Sequence, residues 1–135
     1  MPGLQIYTRD VADYFASTPL TLFNRENTLV VVSIAQLQKL AQHSDFKTAI
    51  TYTMGLPMLC GALAELTSTH KAHIITQQGN KILLAVDGKV LVTELPVEPD
   101  TWRLKTAVAA SIWWLQNPSK PLEAIATGIT QISWE

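Results

Sequence analysis

Cys60 is the only cysteine in the 135-residue chain and its one candidate nucleophile. The run Pro57-Met-Leu-Cys-Gly places it in the first turn of a helix, where the peptide dipole favours a thiolate. Its neighbours act the other way. Met58, Leu59, Ala62 and Leu63 make an apolar surrounding that raises a thiol pKa, so Cys60 reads as a small hydrophobe rather than a reagent. His70 and His73 stand three positions apart in a strand or strand-entry region, where their rings point to opposite faces and do not chelate together. No second pair of ligands lies nearby in sequence, so no metal site is expected. His43 suits a helix C-terminus, where a positive ring meets the dipole.

Acid–base chemistry needs carboxylates brought together by the fold, and Asp10, Asp13, Glu65, Asp87, Glu94, Glu98 and Asp100 are spread along the chain. Glu94, Glu98 and Asp100, with Arg103 and Lys105 behind them, read as a solvated loop beside Pro96 and Pro99. Gly79 and Gly88 fall in turns, and Gly55 and Gly61 flank a helix start. None of them forms a phosphate-cradling pattern. No catalytic residue, metal or cofactor is therefore assigned. If the protein is instead a small-molecule binder or enzyme, its pocket is expected between sheet and helices, with Cys60, His73 and Tyr52 as its polar or reactive groups.

The totals bound what these residues can serve. A chain of 135 residues makes one domain with a core that needs no disulfide or metal staple. Its apolar share is 47% and its charged share 16%, against a usual charged share of about a quarter. Ten basic and eleven acidic residues give a net charge of −1 with no basic cluster, so nucleic acid is not an expected partner. One cysteine cannot close an internal disulfide, and the Met-Pro-Gly-Leu-Gln start lacks the pattern of a secretion signal, which together point to the cytoplasm. The longest uncharged stretch, 17 residues from Thr48 to Ala64, is interrupted by two Gly, a Pro and four Thr/Tyr residues, so no membrane span is expected.

The elements that must position these groups are legible in pieces. Over the first 27 residues, a short helix starting at 8–10 and an apolar arm or strand at 20–23 are the expectations, with a polar turn at 24–27. Thr28-Leu-Val-Val-Val is a buried strand. Ser33 with Gln36 makes a capping box for a helix through Ile34, Leu37, Leu40 and Ala41, ending near His43. The stretch Thr48 to Thr53 fits a helical face at Phe46, Ala49, Ile50 and Thr53, and a further helix starts at Pro57 and runs through Leu59, Leu63 and Leu66. Three β-rich runs follow at 73–76, 82–86 and 90–93. Gln78-Gly79-Asn80 separates the first two, and Asp87-Gly88 separates the last two as a tight hairpin turn. Pro121 opens a short helix that Gly128 stops, and 129–134 reads as a last strand.

These elements predict an α+β fold, with an antiparallel meander over about 72–95 in a small mixed sheet packed with helices. Were 48–53 a strand, an α/β mixed sheet would be expected instead.

One element has an apolar surplus. A helix over Asp100–Gln116 places Leu104, Ala107, Val108, Ser111 and Leu115 on one stripe, and Trp102, Thr106, Ala109 and Trp113 on the opposite one. One stripe packs a helix onto its own domain, and the second needs another cover. Trp114 lies nearer the first stripe. Three tryptophans in this segment and a fourth at Trp134 are a heavy allotment, and tryptophan is enriched among interface anchors. The expected function is a non-enzymatic protein–protein interaction module or small subunit, with Trp102, Thr106, Ala109 and Trp113 at the contact and a homodimer as the first form of partner. The competing cover is internal, from residues 1–27 or the tail around Ile132 and Trp134.

Overall fold

A computed structural model of the chain describes residues 5–7, 24, 26, 28–42, 50–51, 53–95, 119–120, 123 and 127–128. Five strands and two helices have assigned bounds: β1 (Gln5–Tyr7), β2 (Thr28–Val31), α1 (Ile34–Ala41), α2 (Leu56–Thr69), β3 (His73–Gln78), β4 (Lys81–Val86) and β5 (Lys89–Glu94). The strands form one mixed sheet in the order β1-β2-β3-β4-β5. β1, β2 and β3 run parallel, and β4 and β5 complete an antiparallel meander with β3. With the helices packed against this sheet, the architecture is α+β.

The hairpins follow from the residues at their tips. Asp87 and Gly88 have φ of 51° and 82°, the two successive positive angles of a type I′ turn, whose twist matches that of the flanking strands. Only Gly79, at φ 60°, is positive in the β3–β4 turn, as a type II′ turn needs at its first central position. Both turns are two residues long, because Gln78 pairs with Lys81 and Val86 with Lys89. The strands are thus slightly longer than the β-rich runs. The far end of the β4–β5 ladder is tied off where Leu95 N donates to Asn80 O at 2.7 Å and Asn80 Nδ2 donates to Leu95 O at 3.0 Å.

The crossover from β2 to β3 carries both helices. Ser33 caps α1, its Oγ accepting from Gln36 N at 3.2 Å, and the apolar spacing buries Ile34, Leu37 and Leu40. α1 ends at Ala41, two residues short of the expected His43, which lies outside the described residues. Before α2, the expected helix over 48–53 does not form among the described residues. Ile50 and Thr51 are irregular, Thr53 is in a turn, and Met54 N donates to Thr51 O at 3.2 Å. The strand alternative fails there as well. The physical reason is local: Ile50 is 3% exposed in the core while Thr51 and Thr53 are exposed, so one apolar anchor holds a turn.

α2 starts at Leu56, with Pro57 in the first turn, where a missing N–H costs nothing. At its other end Thr67 Oγ1 donates to Leu63 O at 2.9 Å and accepts from Gly88 N at 3.0 Å, pinning the helix to the β4–β5 turn.

Both faces of the sheet are buried. On the near face, Val30, Ile74, Leu83 and Ala85 pack with Leu37, Leu40, Leu59, Leu63 and Leu66 from the two helices. Full burial of each such leucine contributes roughly 2 kcal/mol. On the far face, Leu29, Val31, Ile75, Ile82, Leu84 and Val86 are also at most 5% exposed, although both described helices lie on the near side. β4 is accordingly buried without alternation from Ile82 to Val86, the pattern of a strand covered on both sides.

Two features depart from expectation or extend it. β1 was not anticipated by the sequence. It pairs Gln5, Ile6 and Tyr7 with Thr28, Leu29 and Val30. Glu123, Thr127 and Gly128 are helical, with Thr127 Oγ1 donating to Glu123 O at 2.8 Å, so Gly128 continues the turn that it was expected to stop. The expected elements at 8–16, 20–23, 100–116 and 129–134 lie outside the described residues. No helix among the described residues is long and apolar enough to cross a membrane.

Candidate functional site

Cys60 sits in the second turn of α2, half-buried, with its side chain against the near-face core. Burial pushes its thiol pKa up, as the apolar neighbours imply. A thiol in this setting stays protonated near neutrality and packs as an apolar group.

His73 opens β3 in the pair Leu29–His73, one residue before Ile74. Since Ile74 faces the helices, strand alternation turns His73 to the far face, with the sheet between it and Cys60. Burial lowers its pKa to about 4, while the Asp87 carboxylate pulls weakly in the other direction. The ring is therefore neutral at physiological pH and cannot deliver a proton from the imidazolium there. Tyr52, the third polar group expected with these two, lies outside the described residues. The structure does not bring Cys60 and His73 together.

His70 is the C-terminal cap of α2 at the entry to β3, with extended backbone and its N–H donating to Leu66 O at 3.1 Å. Its Nδ1 lies 2.8 Å from Asn24 Oδ1, and burial lowers its pKa. Beside it Lys71 Nζ pairs with Glu26 Oε1 at 3.1 Å, and both side chains are well exposed. These contacts hold Asn24 and Glu26 against the α2–β3 connection. An exposed pair of this kind contributes at most about 1 kcal/mol. Among the described residues, no three of His, Cys, Asp and Glu come close enough together to hold a metal ion.

Sequence reading passed over two threonines. Thr67 looks like an ordinary late-helix residue, yet its hydroxyl carries the α2–hairpin link. Thr76 fits a strand by propensity alone, but it is fully buried on the near face, paired in the ladder with Leu83, and its hydroxyl has no hydrogen-bond partner. No feature of the local sequence distinguishes either from a strand-forming or helix-capping threonine.

Trp102, Thr106, Ala109 and Trp113 lie outside the described residues, so the expected contact stripe rests on its sequence pattern. Met58, 66% exposed on α2, and Leu91 and Val92 on the outer strand β5 are the large exposed apolar side chains among the described residues. Met58 stands apart on α2, and Leu91 and Val92, adjacent on β5, point to opposite faces of the sheet, so the three form no single patch. Comparison with protein-family models, with curated proteins and with solved structures finds no match to this chain.

Proposed function

We propose that the protein is a non-enzymatic interaction module of the cytoplasm that binds a second copy of itself through Trp102, Thr106, Ala109 and Trp113 on the 100–116 segment. The observation that carries this reading is the pair of opposite apolar stripes in one amphipathic period, one of them bearing two tryptophans three turns apart. The chemistry of the described residues supports it indirectly. The one thiol is held protonated against the core, and the histidine with the largest pKa shift is neutral and on the other side of the sheet. Isologous pairing is the commonest way to cover such a stripe.

Sedimentation velocity on the wild-type chain and on Trp102→Glu and Trp113→Glu tests the reading. A dimer is expected for the wild type and a folded monomer for each variant. A monomeric wild type whose variants unfold places the tryptophan stripe in the core and removes the basis for the proposal.

A further inference from the structure

Asp87-Gly88 is the one place in the chain where an aspartate or asparagine precedes a glycine. Glycine leaves the backbone nitrogen after the carboxyl unshielded, so this pairing is the most open to isomerisation. In that reaction Gly88 N attacks Asp87 Cγ. An N–Cγ bond forms, the carboxyl hydroxyl leaves with the amide proton as water, and a five-membered succinimide closes. Water then adds at the Asp87 main-chain carbonyl and breaks its bond to Gly88 N. The chain now runs through Cβ and Cγ as isoaspartate, with no change in mass and no oxidant or cofactor consumed.

The fold exposes this pair to water and restrains the motion that the reaction needs. Asp87 is exposed at the tip of the β4–β5 hairpin, with φ 51° in a region that costs an L-residue energy and is kept only by its surroundings. Ring closure requires the 87–88 peptide plane to turn about the Asp87 Cα–C bond. Two contacts from α2 oppose that turn. Gly88 N donates to Thr67 Oγ1 at 3.0 Å, and Thr67 is itself anchored by donating to Leu63 O at 2.9 Å. The helix also stands directly against the turn, since a Cβ on Gly88 would lie 3.2 Å from Ser68 Cβ and 3.8 Å from Ala64 O. The nitrogen that must attack is therefore the nitrogen whose proton Thr67 holds.

We propose that Asp87-Gly88 is a site of isoaspartate formation and that the Thr67 hydroxyl gates it. While α2 is docked on the hairpin, the attacking nitrogen is tied and the peptide plane is fixed. When the end of α2 lets go, both restraints are lost together. The product then keeps the hairpin tip open. Isoaspartate adds one main-chain carbon to a two-residue turn, whose fit to the Val86–Lys89 pair depends on the successive positive φ angles of Asp87 and Gly88. The gate does not depend on self-association.

Trypsin cleavage after Lys81 and Lys89 releases Ile82–Lys89, whose aspartate and isoaspartate forms have equal mass but separate by reversed-phase chromatography and by electron-transfer fragments. Wild-type chain incubated at neutral pH should accumulate isoaspartate roughly tenfold more slowly than the free peptide of this sequence. Thr67→Val should convert about fivefold faster than wild type, the factor that goes with one ordinary hydrogen bond. Thr67→Ser keeps the hydroxyl and should match wild type. Ile34→Val loses buried contacts in α1, away from the turn, and should also convert at the wild-type rate. Hydrogen exchange at the Gly88 amide of the wild-type chain reads the gate without any substitution, and protection relative to the free peptide is expected. Wild type that isomerises or exchanges as fast as the peptide overturns the proposal, as does a folded Thr67→Val that is no faster than wild type. Equal acceleration by Ile34→Val and Thr67→Val overturns it as well, because global unfolding is then the gate.

Discussion

Acidification should destabilise this protein measurably through the His73 ring. His73 is neutral in the folded chain, with a pKa pushed down by burial from the usual 6.5 to about 4. In the unfolded chain the ring is solvated and takes up a proton near 6.5. Between these two values the unfolded state binds more protons than the folded state, so stability is fully present above about pH 6.5 and falls as the pH drops towards 4. The separation corresponds to about 3 kcal/mol in total, and about 2 kcal/mol of it is already lost at pH 5. For a domain with typical net stability of roughly 5–15 kcal/mol this is a sizeable fraction. The carboxylates also titrate in the acid range, so the informative quantity is a difference. Urea unfolding of the wild type and of His73→Gln, which cannot titrate, should give stabilities that converge or cross as pH falls from 7.5 to 5, with the wild type losing about 2 kcal/mol more than the variant. Asp87→Asn removes a carboxylate that raises the His73 pKa, so it should widen the gap between the folded and unfolded values and move acid unfolding to higher pH. Asparagine tolerates the positive φ at this position, so the turn is kept. Parallel profiles for wild type and His73→Gln over this range, or a His73 titration midpoint near 6.5, would refute the reasoning.

Two glycine-to-alanine changes should have opposite signs. Gly88 has φ 82° and a Cβ there would lie 3.2 Å from Ser68 Cβ, so Gly88→Ala should lower stability by about 1–2 kcal/mol, whereas Gly61 is an exposed helical residue with open space around its Cβ position and Gly61→Ala should raise it by about 1 kcal/mol in the same denaturation assay. Thr76→Val removes a buried hydroxyl without a partner while keeping its shape, and thermal melting should show a gain of about 1 kcal/mol; a loss of that size would mean that the hydroxyl is satisfied. Cys60 should react with iodoacetamide at pH 7 far more slowly in the native chain than in urea, and equal rates would contradict its protonated, half-buried state.

The signals that survived from sequence to structure are those whose physics is local. Asp87-Gly88 needs only its own backbone angles to make a hairpin, and Ser33 needs only the amide three residues on. The β-branched run at Thr28–Val31 likewise fixes its own state, although its parallel neighbours do not follow from it. Where a position depends on distant chain, the sequence was silent or misleading. The apolar period at 46–53 suggested a helix, but a single buried Ile50 and the nearby Gly55 and Pro57 give a turn. Gln5–Tyr7 is too short to show a period, and its strand exists through the β2 edge. Cys60 and His73 were candidates for one pocket because both are polar or reactive near the meander, and only the strand register reveals the sheet between them. The role of Thr67 depends on Gly88, 21 residues away, which no local pattern encodes.

The burial of both sheet faces also changes what composition can say about association. An apolar share of 47% with 16% charged residues suggests surface hidden in an assembly if the fold has two layers, because a two-layer fold leaves one sheet face to water. In this chain β4 is buried continuously from Ile82 to Val86, and β2 along its whole length, so the sheet consumes apolar residues on both sides. Low charge is then what an internally covered sheet requires, with no second chain needed to explain it. The case for a partner passes to the arrangement of residues within 100–116. A helix packs on its own domain through a single stripe, and the spacing of Leu104, Val108 and Leu115 is that of one such stripe. In the sequence pattern Trp102 and Trp113 fall opposite that stripe, and this opposition, with the enrichment of tryptophan among interface anchors, is what the self-association proposal rests on.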